Sequence, residues 1–409
     1  MVSGSATFTS PARLSDSIIS LVDYCRRSDW AGFDPYDALN STLFARTPLS
    51  RSRIARIVLT QSMKRLPINI RPLLQIRRAQ NPKAIALFLM AVGKLGACGA
   101  IEADALVPEL IDRLKSLRAQ NTAYWCWGYS FPWQTRSELV PRWAPNIVCT
   151  TFVANALLDV YEATSNSACL DIARSACDYL LDELYWTDGN AEAGFAYPVP
   201  GVKSRVHNAN FLGAAVLCRV YRYCGDTRLL HSALKVARYS ASRQRGDGSW
   251  DYGELSTQRW VDNFHTGYNL CALRSISQYI ETAEFDACLS RGFSFYRAHF
   301  FTSDGAPKYF HDRIYPIDIH SSAQSIITLL TLRDLGEGSA AAALGVYDWT
   351  MRHMWDSRGY FYYQALPYMT NKIPYIRWSQ AWMLLALATI AYESSPRSCA
   401  RASANARMA

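Results

Sequence analysis

Nowhere in the 409 residues do two cysteines form a CxxC pair, although 11 cysteines are scattered from Cys25 to Cys399. An odd, dispersed set argues against a secreted disulfide framework and for reduced thiols in the cytosol. The N-terminal stretch MVSGSATFTSPARLSD has no apolar core and does not read as a signal peptide. Long hydrophobic runs are missing too. The most apolar segment, Ala84 to Val107, is interrupted by Lys94, Glu102 and Asp104, so it is expected to be a buried helix and not a membrane span. Alternating β-branched runs are scarce, which excludes a sheet-based core. No HExxH spacing occurs, and no motif implies a metal or a cofactor.

Acid is lacking in one place. Between Ser50 and Arg78 there are eight basic residues (Arg51, Arg53, Arg56, Lys64, Arg65, Arg71, Arg77 and Arg78) and no Asp or Glu. Apolar residues alternate with them, so the segment reads as one or two basic amphipathic helices. It serves either as a solvated face or as a peripheral contact with an anionic inner membrane. No nucleic-acid motif accompanies the charge, and nucleic acid is not an expected partner.

What is abundant is aromatic: 12 Trp and 24 Tyr in a chain that is half hydrophobic. Buried Tyr and Trp want polar partners, so this surplus points beyond core filling. It falls into a repeat. Turns of the Asp-Gly or Ser-Gly type recur near Gly189, Gly248, Gly305 and Gly359, spaced 59, 57 and 54 residues apart. After each, a helix opens on a polar cluster, at His207, Asp262, Asp318 and Arg377, with an earlier member at Asn146. One further step back lands on Ala84 to Leu95, giving six. An amphipathic helix follows most of them, so each repeat is a hairpin with an apolar inner and an amphipathic outer member. The chain is therefore expected to be an all-α (α/α)6 toroid over residues 15–395, with disordered tails at 1–14 and 396–409.

In such a toroid the loops before the inner helices meet at one end. There the sequence gathers three histidines, His207, His265 and His320, which share a phase of the repeat. Carboxylates accompany them: Asp251 and Glu254 in the loop WDYGE, and Asp262 and Asp318 at helix starts, where they also suit N-caps. Glycosidic-bond cleavage needs two carboxylates. On that basis Glu254, Asp251 and Asp262 are the acid/base candidates, with His265, His207 and His320 relaying protons or binding substrate. Trp127, Trp133, Trp250, Tyr252, Tyr315 and Trp378 offer flat faces to sugar rings, while Asn146, Asn208, Asn263 and Asp318 offer polar edges. Arg136 and Arg377 suit an anionic ligand. An alternative keeps the pocket but uses His or Tyr to remove an α-proton from a uronate, giving a lyase or C5-epimerase. A third reading is a non-catalytic glycan-binding or assembly factor.

The stretches CWGYSFPWQTR, PNIVCTTFVANALLDVYE, VHNANFLGAAVL, WVDNFHTGYNL, YPIDIHSSAQSIITL and IPYIRWSQAWM together resemble VpsJ-type proteins of bacterial polysaccharide gene clusters, over about residues 30–392. That resemblance implies exopolysaccharide biosynthesis and an oligosaccharide, polysaccharide or lipid-linked partner. The expected fold is similar to that of six-hairpin glycosidases, polysaccharide lyases and N-acylglucosamine 2-epimerases. QRGDGSW, at Gln244 to Trp250, is similar to the QW motif of triterpene cyclases, but the DxDD acid of those enzymes is absent. Its expected role is structural, with Gln capping a helix end and Trp packing on the next hairpin.

Overall fold

The computed structural model describes residues 11–136, 138–189 and 192–396. Among them the helices are, in order, α1 (Pro11–Arg27), α2 (Thr42–Ala45), α3 (Arg53–Arg65), α4 (Pro82–Ala97), α5 (Leu106–Ser116), α6 (Ile147–Thr164), α7 (Ser167–Tyr179), α8 (His207–Cys224), α9 (Thr227–Ser242), α10 (Asn263–Tyr279), α11 (Asp286–His299), α12 (Ile319–Thr331), α13 (Ser339–His353) and α14 (Trp382–Glu393). α4, α6, α8, α10, α12 and α14 pack each on the next, and α14 returns to α4, so the inner ring closes. Outside them lie α5, α7, α9, α11 and α13, each against the inner helix before it in the chain.

Sequence dictates which helix goes where. Every residue from Trp382 to Ile390 of α14 is buried, as an apolar helix enclosed on all sides requires. In α9 the buried positions Leu229, Ala233, Val236, Ala237, Tyr239 and Ser240 form one stripe, and the opposite face is polar. The buried side chains of the two rings form one continuous core, in which each fully buried aliphatic contributes roughly 1.5–3 kcal/mol.

The sixth outer helix was not legible. It is α1, which packs against α14 from the other end of the chain. α1 begins at Pro11, inside the stretch expected to be a tail; the remainder of that expectation, residues 1–10, and residues 397–409 lie outside the described residues. The recurring turns explain how the ring is stitched. Gly248 and Gly359 have φ of 91° and 90°, and a Cβ there would come within 2.4 Å of the Arg291 carbonyl oxygen and 2.7 Å of that of Ser20. Only glycine lets these turns adopt that φ and sit on the next outer helix, α11 in one case and α1 in the other. Gln244 donates to the carbonyls of Gly248 and Cys288, and Trp250 donates to Ser240 while packing over Gly292 of α11. The QW-like motif is thus a hairpin clamp.

Connections from an inner helix to the following outer one are short, such as 165–166 and 225–226. The opposite connections (28–81, 117–146, 185–206, 243–262, 300–318 and 354–375) are long and all lie at one end, the mouth. They carry short strands: β1 (Trp133–Gln134) with β2 (Leu139–Val140), β3 (Tyr185–Thr187) with β4 (Ala193–Phe195), β5 (Ile317–Asp318), β6 (Trp355–Asp356) with β7 (Tyr360–Phe361), then β8 (Gln364–Ala365) and β9 (Thr370–Asn371). β5 pairs antiparallel with β8, and β8 with β9. Only part of the basic segment is helical: α3 is amphipathic, while 66–81 is irregular. Among the described residues no helix is long and apolar enough to cross a membrane, and the ten cysteines are free thiols.

Candidate active site

At the mouth the inner-helix N-termini surround a cavity of about 390 Å³. Side-chain caps fix four of the six helix starts: Asn81 accepts from Lys83 N–H, Asn146 from Cys149, Asp262 from His265 and Asp318 from His320. Each cap satisfies an orphan amide and sets the rotation of the first turn, which decides what faces the cavity.

Two of the three histidines reach it. His265 Nδ1 lies 2.7 Å from Asp262 Oδ2, so the buried carboxylate holds that nitrogen protonated and leaves Nε2 as the acceptor. His320 is clamped between Phe264 and Trp382, at ring distances of 4.4 and 4.5 Å. Its Nε2 is 2.6 Å from Tyr268 Oη, and its buried Nδ1 has no hydrogen-bond partner. Burial, helped by the nearby charges of Lys83 and Arg377, keeps His320 neutral well below the usual imidazole range. His207 is elsewhere. It packs beneath the wall, 3.4 Å from Ser240 Oγ, and burial lowers it to about 4.

Other groups in the cavity escaped notice in the sequence. Lys83, 3% exposed, points its ammonium at Phe152, Tyr268 and Trp382, with Nζ 4.2 Å from the Phe152 centroid and 3.5 Å from Tyr268 Oη. Burial, and secondarily the charge of Arg377, brings its pKa down to about 7. Tyr268 stands 5.9 Å, ring to ring, from both His265 and His320. Lys64 and Tyr36 complete the rim on the insertion side. Arg377 does line the cavity, with its Nε and Nη2 donating to the buried Asp34 at 2.6 and 2.8 Å. Arg377 and Trp378 sit in a π-helical turn, Ile376–Ala381, that opens α14. Such a bulge redirects consecutive side chains towards one site.

The carboxylate candidates are differently placed. Asp262 and Asp318 are saturated from behind: Trp260 Nε1 donates to Asp262, while Gln364 and Trp378 donate to Asp318. Burial raises Asp318 to about 6 despite those donors. Glu254 lies in a neighbouring groove of about 440 Å³, held by Tyr239 Oη at 2.6 Å and by Arg243 and Arg205. Asp251 is paired with Arg245, outside both spaces. Among the described residues no Asp or Glu side chain lines the central cavity.

Of the expected sugar platforms, Trp133, Tyr252 and Trp378 line the cavity, and Tyr252 is stacked on Trp260 at 4.6 Å and 10°. Trp133 and Tyr252 also face the groove, as does the exposed Arg136. Asn208 lines the cavity with a buried, unpartnered Oδ1. Trp127 and Trp250 are core, their indole N–H groups bonded to Leu114 and Ser240. Asn146 is a cap, Asn263 accepts from Tyr296 and Ser325, and Tyr315 is exposed on the rim outside both spaces.

No protein-family model matches the chain, nor does any curated protein. Solved structures do. A cellobiose 2-epimerase from Bacillus thermoamylovorans is similar with a TM-score of 0.61 at 12% identity, over 78% of this chain and 90% of that one. A GH76 α-mannanase from Bacteroides thetaiotaomicron gives 0.61 at 14%, over 76% and 86%. A possible GH105 member from Salmonella enterica serovar Paratyphi A gives 0.60 at 12%, over 94% and 95%. At this identity the likeness establishes the fold: the chain has the (α/α)6 toroid of these carbohydrate-active proteins.

Proposed function

We propose that the protein is a saccharide-processing enzyme that transfers a proton at a carbon next to a carbonyl or carboxylate, an epimerase or isomerase type of reaction, in bacterial surface-polysaccharide metabolism. The polysaccharide setting rests on the motif resemblance. The reaction class rests on one observation: the cavity presents His265, His320, Tyr268 and Lys83, and no carboxylate among the described residues. Glycosidic cleavage by two carboxylates, the first expectation from sequence, is disfavoured by the same fact. Glu254 and Asp251 are bound to arginines outside the cavity, and Asp262 serves His265.

In this reading His265 Nε2 takes the proton from carbon, and Asp262 stabilises the imidazolium that forms. The electron pair of the broken C–H bond moves to the substrate oxygen. Tyr268 accepts from Lys83 and, with the His320 proton on Nε2, from His320 as well, which leaves its own O–H free to donate to that oxygen. Return of a proton to the opposite face of the same carbon gives the epimer; for an aldose, return to C1 with passage of the O2 hydroxyl proton to O1 gives the ketose. Tyr252, Trp260 and Trp378 offer ring faces to the sugar.

The test is incubation in D2O with free reducing sugars (mannose, cellobiose) and with uronate oligosaccharides, followed by NMR. Deuterium at C2 of an aldose or C5 of a uronate, lost in His265→Gln, supports the reading. A new reducing end with no carbon-bound deuterium would return the site to hydrolysis.

A further inference from the structure

The toroid is unevenly coated. Of the fifteen exposed large hydrophobic side chains among the described residues, thirteen lie on five of the six connections at the mouth; the exceptions are Ile19 on α1 and Leu335 at the opposite end. Scattered single apolar residues need no explanation, but a concentration on one face marks an interaction surface. Within the insertion 28–81, Leu49, Ile54, Val58, Ile68 and Leu73 are each more than half exposed, between 57% and 76%. Ile54 and Val58 are one turn apart on the outer side of α3, whose inner side buries Thr60 and Met63. Around the rim follow Leu139, Leu255, Ile314, Tyr315, Tyr368 and Met369, with Tyr368 wholly exposed at the β8–β9 turn.

These patches are tied into one collar. Arg56 of α3 donates to Gln134 of β1, and Asn371 of β9 donates to the Leu66 carbonyl just beyond α3. On the insertion the charge is one-sided, although Glu138 and Asp312 are exposed on other connections. From Ala38 to Ile101 the chain has no acid, and Arg46, Arg51, Arg53, Arg65, Arg77 and Arg78 are all exposed on the insertion. A partner protein with acidic residues would match the arginines, but it would not match apolar side chains on four further connections around an open cavity. A bilayer with anionic headgroups matches both, since it takes apolar side chains at the acyl boundary and arginines at the phosphates.

We infer that the mouth face is a docking surface for an anionic membrane, with the insertion 28–81 as its principal contact. Docked in this way, the cavity opens towards the headgroup layer. If the saccharide reading above also holds, the substrate is the glycan head of a lipid-anchored saccharide. The docking itself stands independently of that reading, because it is measured without turnover.

The experiment is flotation of the full-length protein with vesicles of phosphatidylcholine alone or mixed with phosphatidylglycerol. The protein is expected to float with the anionic vesicles and to be released by raised salt. Replacing Arg51, Arg53 and Arg65 by Gln together is expected to weaken binding on the order of a hundredfold. Ile54→Ser with Val58→Ser, and separately Tyr368→Ser, should weaken it, whereas Ile19→Ser and Leu335→Ser should not. Circular dichroism melts check that each variant is folded. Absence of flotation with anionic vesicles overturns the inference, as does equal flotation of the mouth and control variants. So does a concentration-dependent dimer, seen by light scattering and abolished by the Ile54/Val58 change, because a second copy would then cover the face.

Discussion

Asp262 uses its two carboxylate oxygens for different tasks on the same residue: Oδ1 accepts the His265 backbone N–H at 2.9 Å, and Oδ2 lies 2.7 Å from His265 Nδ1. One side chain therefore starts helix α10 and fixes the tautomer of the histidine three positions on. In Asp262→Asn the amide oxygen can still cap the helix, but the amide N–H2 that replaces Oδ2 leaves the Trp260 indole N–H without its acceptor, so stability should fall by about 1–3 kcal/mol. The amide N–H2 then faces Nδ1, which must become the acceptor, and Nε2 carries the proton and ceases to be a base. Carbon-bound deuterium exchange should fall by about 10²- to 10⁴-fold with KM little changed. Full retention of exchange would remove His265 from the role of base.

Glu254 separates the two chemistries. It is locked by Tyr239, Arg205 and Arg243 in the side groove, away from His265 and His320. Glu254→Gln is expected to lower turnover by well under about tenfold, in contrast to the loss expected of a general acid or base. Complete loss with unchanged sugar binding would reinstate a carboxylate mechanism.

Lys83 should leave a signature in the pH dependence of stability. Its folded pKa of about 7 lies below the ordinary 10.5, so the native state holds it neutral where the unfolded chain has already protonated it. Native stability is therefore full above about pH 10.5 and is lost as pH falls towards 7. Lys83→Met lacks that loss, and its melting temperature relative to the native protein should climb from pH 10 to pH 7 and then level off. Deuterium exchange by this variant should be strongly reduced at every pH.

His207 makes the analogous prediction at acid pH. Burial lowers it from 6.5 to about 4, so its contribution is complete above 6.5 and is withdrawn as pH falls to 4. The full effect is roughly 3 kcal/mol. His207→Gln should flatten the urea-unfolding free energy over that window, and its turnover should survive, since this ring does not line the cavity. A loss of turnover without loss of stability would contradict the assignment.

Arg377 and Asp34, 343 residues apart in sequence, form a buried bidentate pair where α14 meets the polypeptide that follows α1. Removing one partner leaves an uncompensated buried charge, so Asp34→Asn or Arg377→Met should each cost about 3–5 kcal/mol in chemical denaturation. The double variant should recover part of that cost, and strict additivity would show that the two charges do not act as a pair.

Much of this molecule is local and could be read from the chain. The turn glycines near 189, 248, 305 and 359, the capping Asn and Asp residues and the 3.6-residue stripes identified five hairpins, because each depends on a few consecutive residues. Lys83 was hidden for the same reason: it lies at the start of an apolar helix, and only Phe152, Tyr268 and Trp382, from three other helices, make it part of a cavity. α1 could not be recognised as the twelfth helix of the ring, since its partner α14 is at the far end of the sequence.

Local patterning along the chain specifies a ring of helical hairpins and the end at which its polar residues gather. Which of them face the cavity is set by packing between helices. His207 is the first residue of its helix, His320 the second after its Asp318 cap and His265 the third after Asp262. One residue turns a helical side chain by about 100°. Three histidines in one phase of the repeat thus point in three directions, and packing between helices far apart in the chain selects two of them.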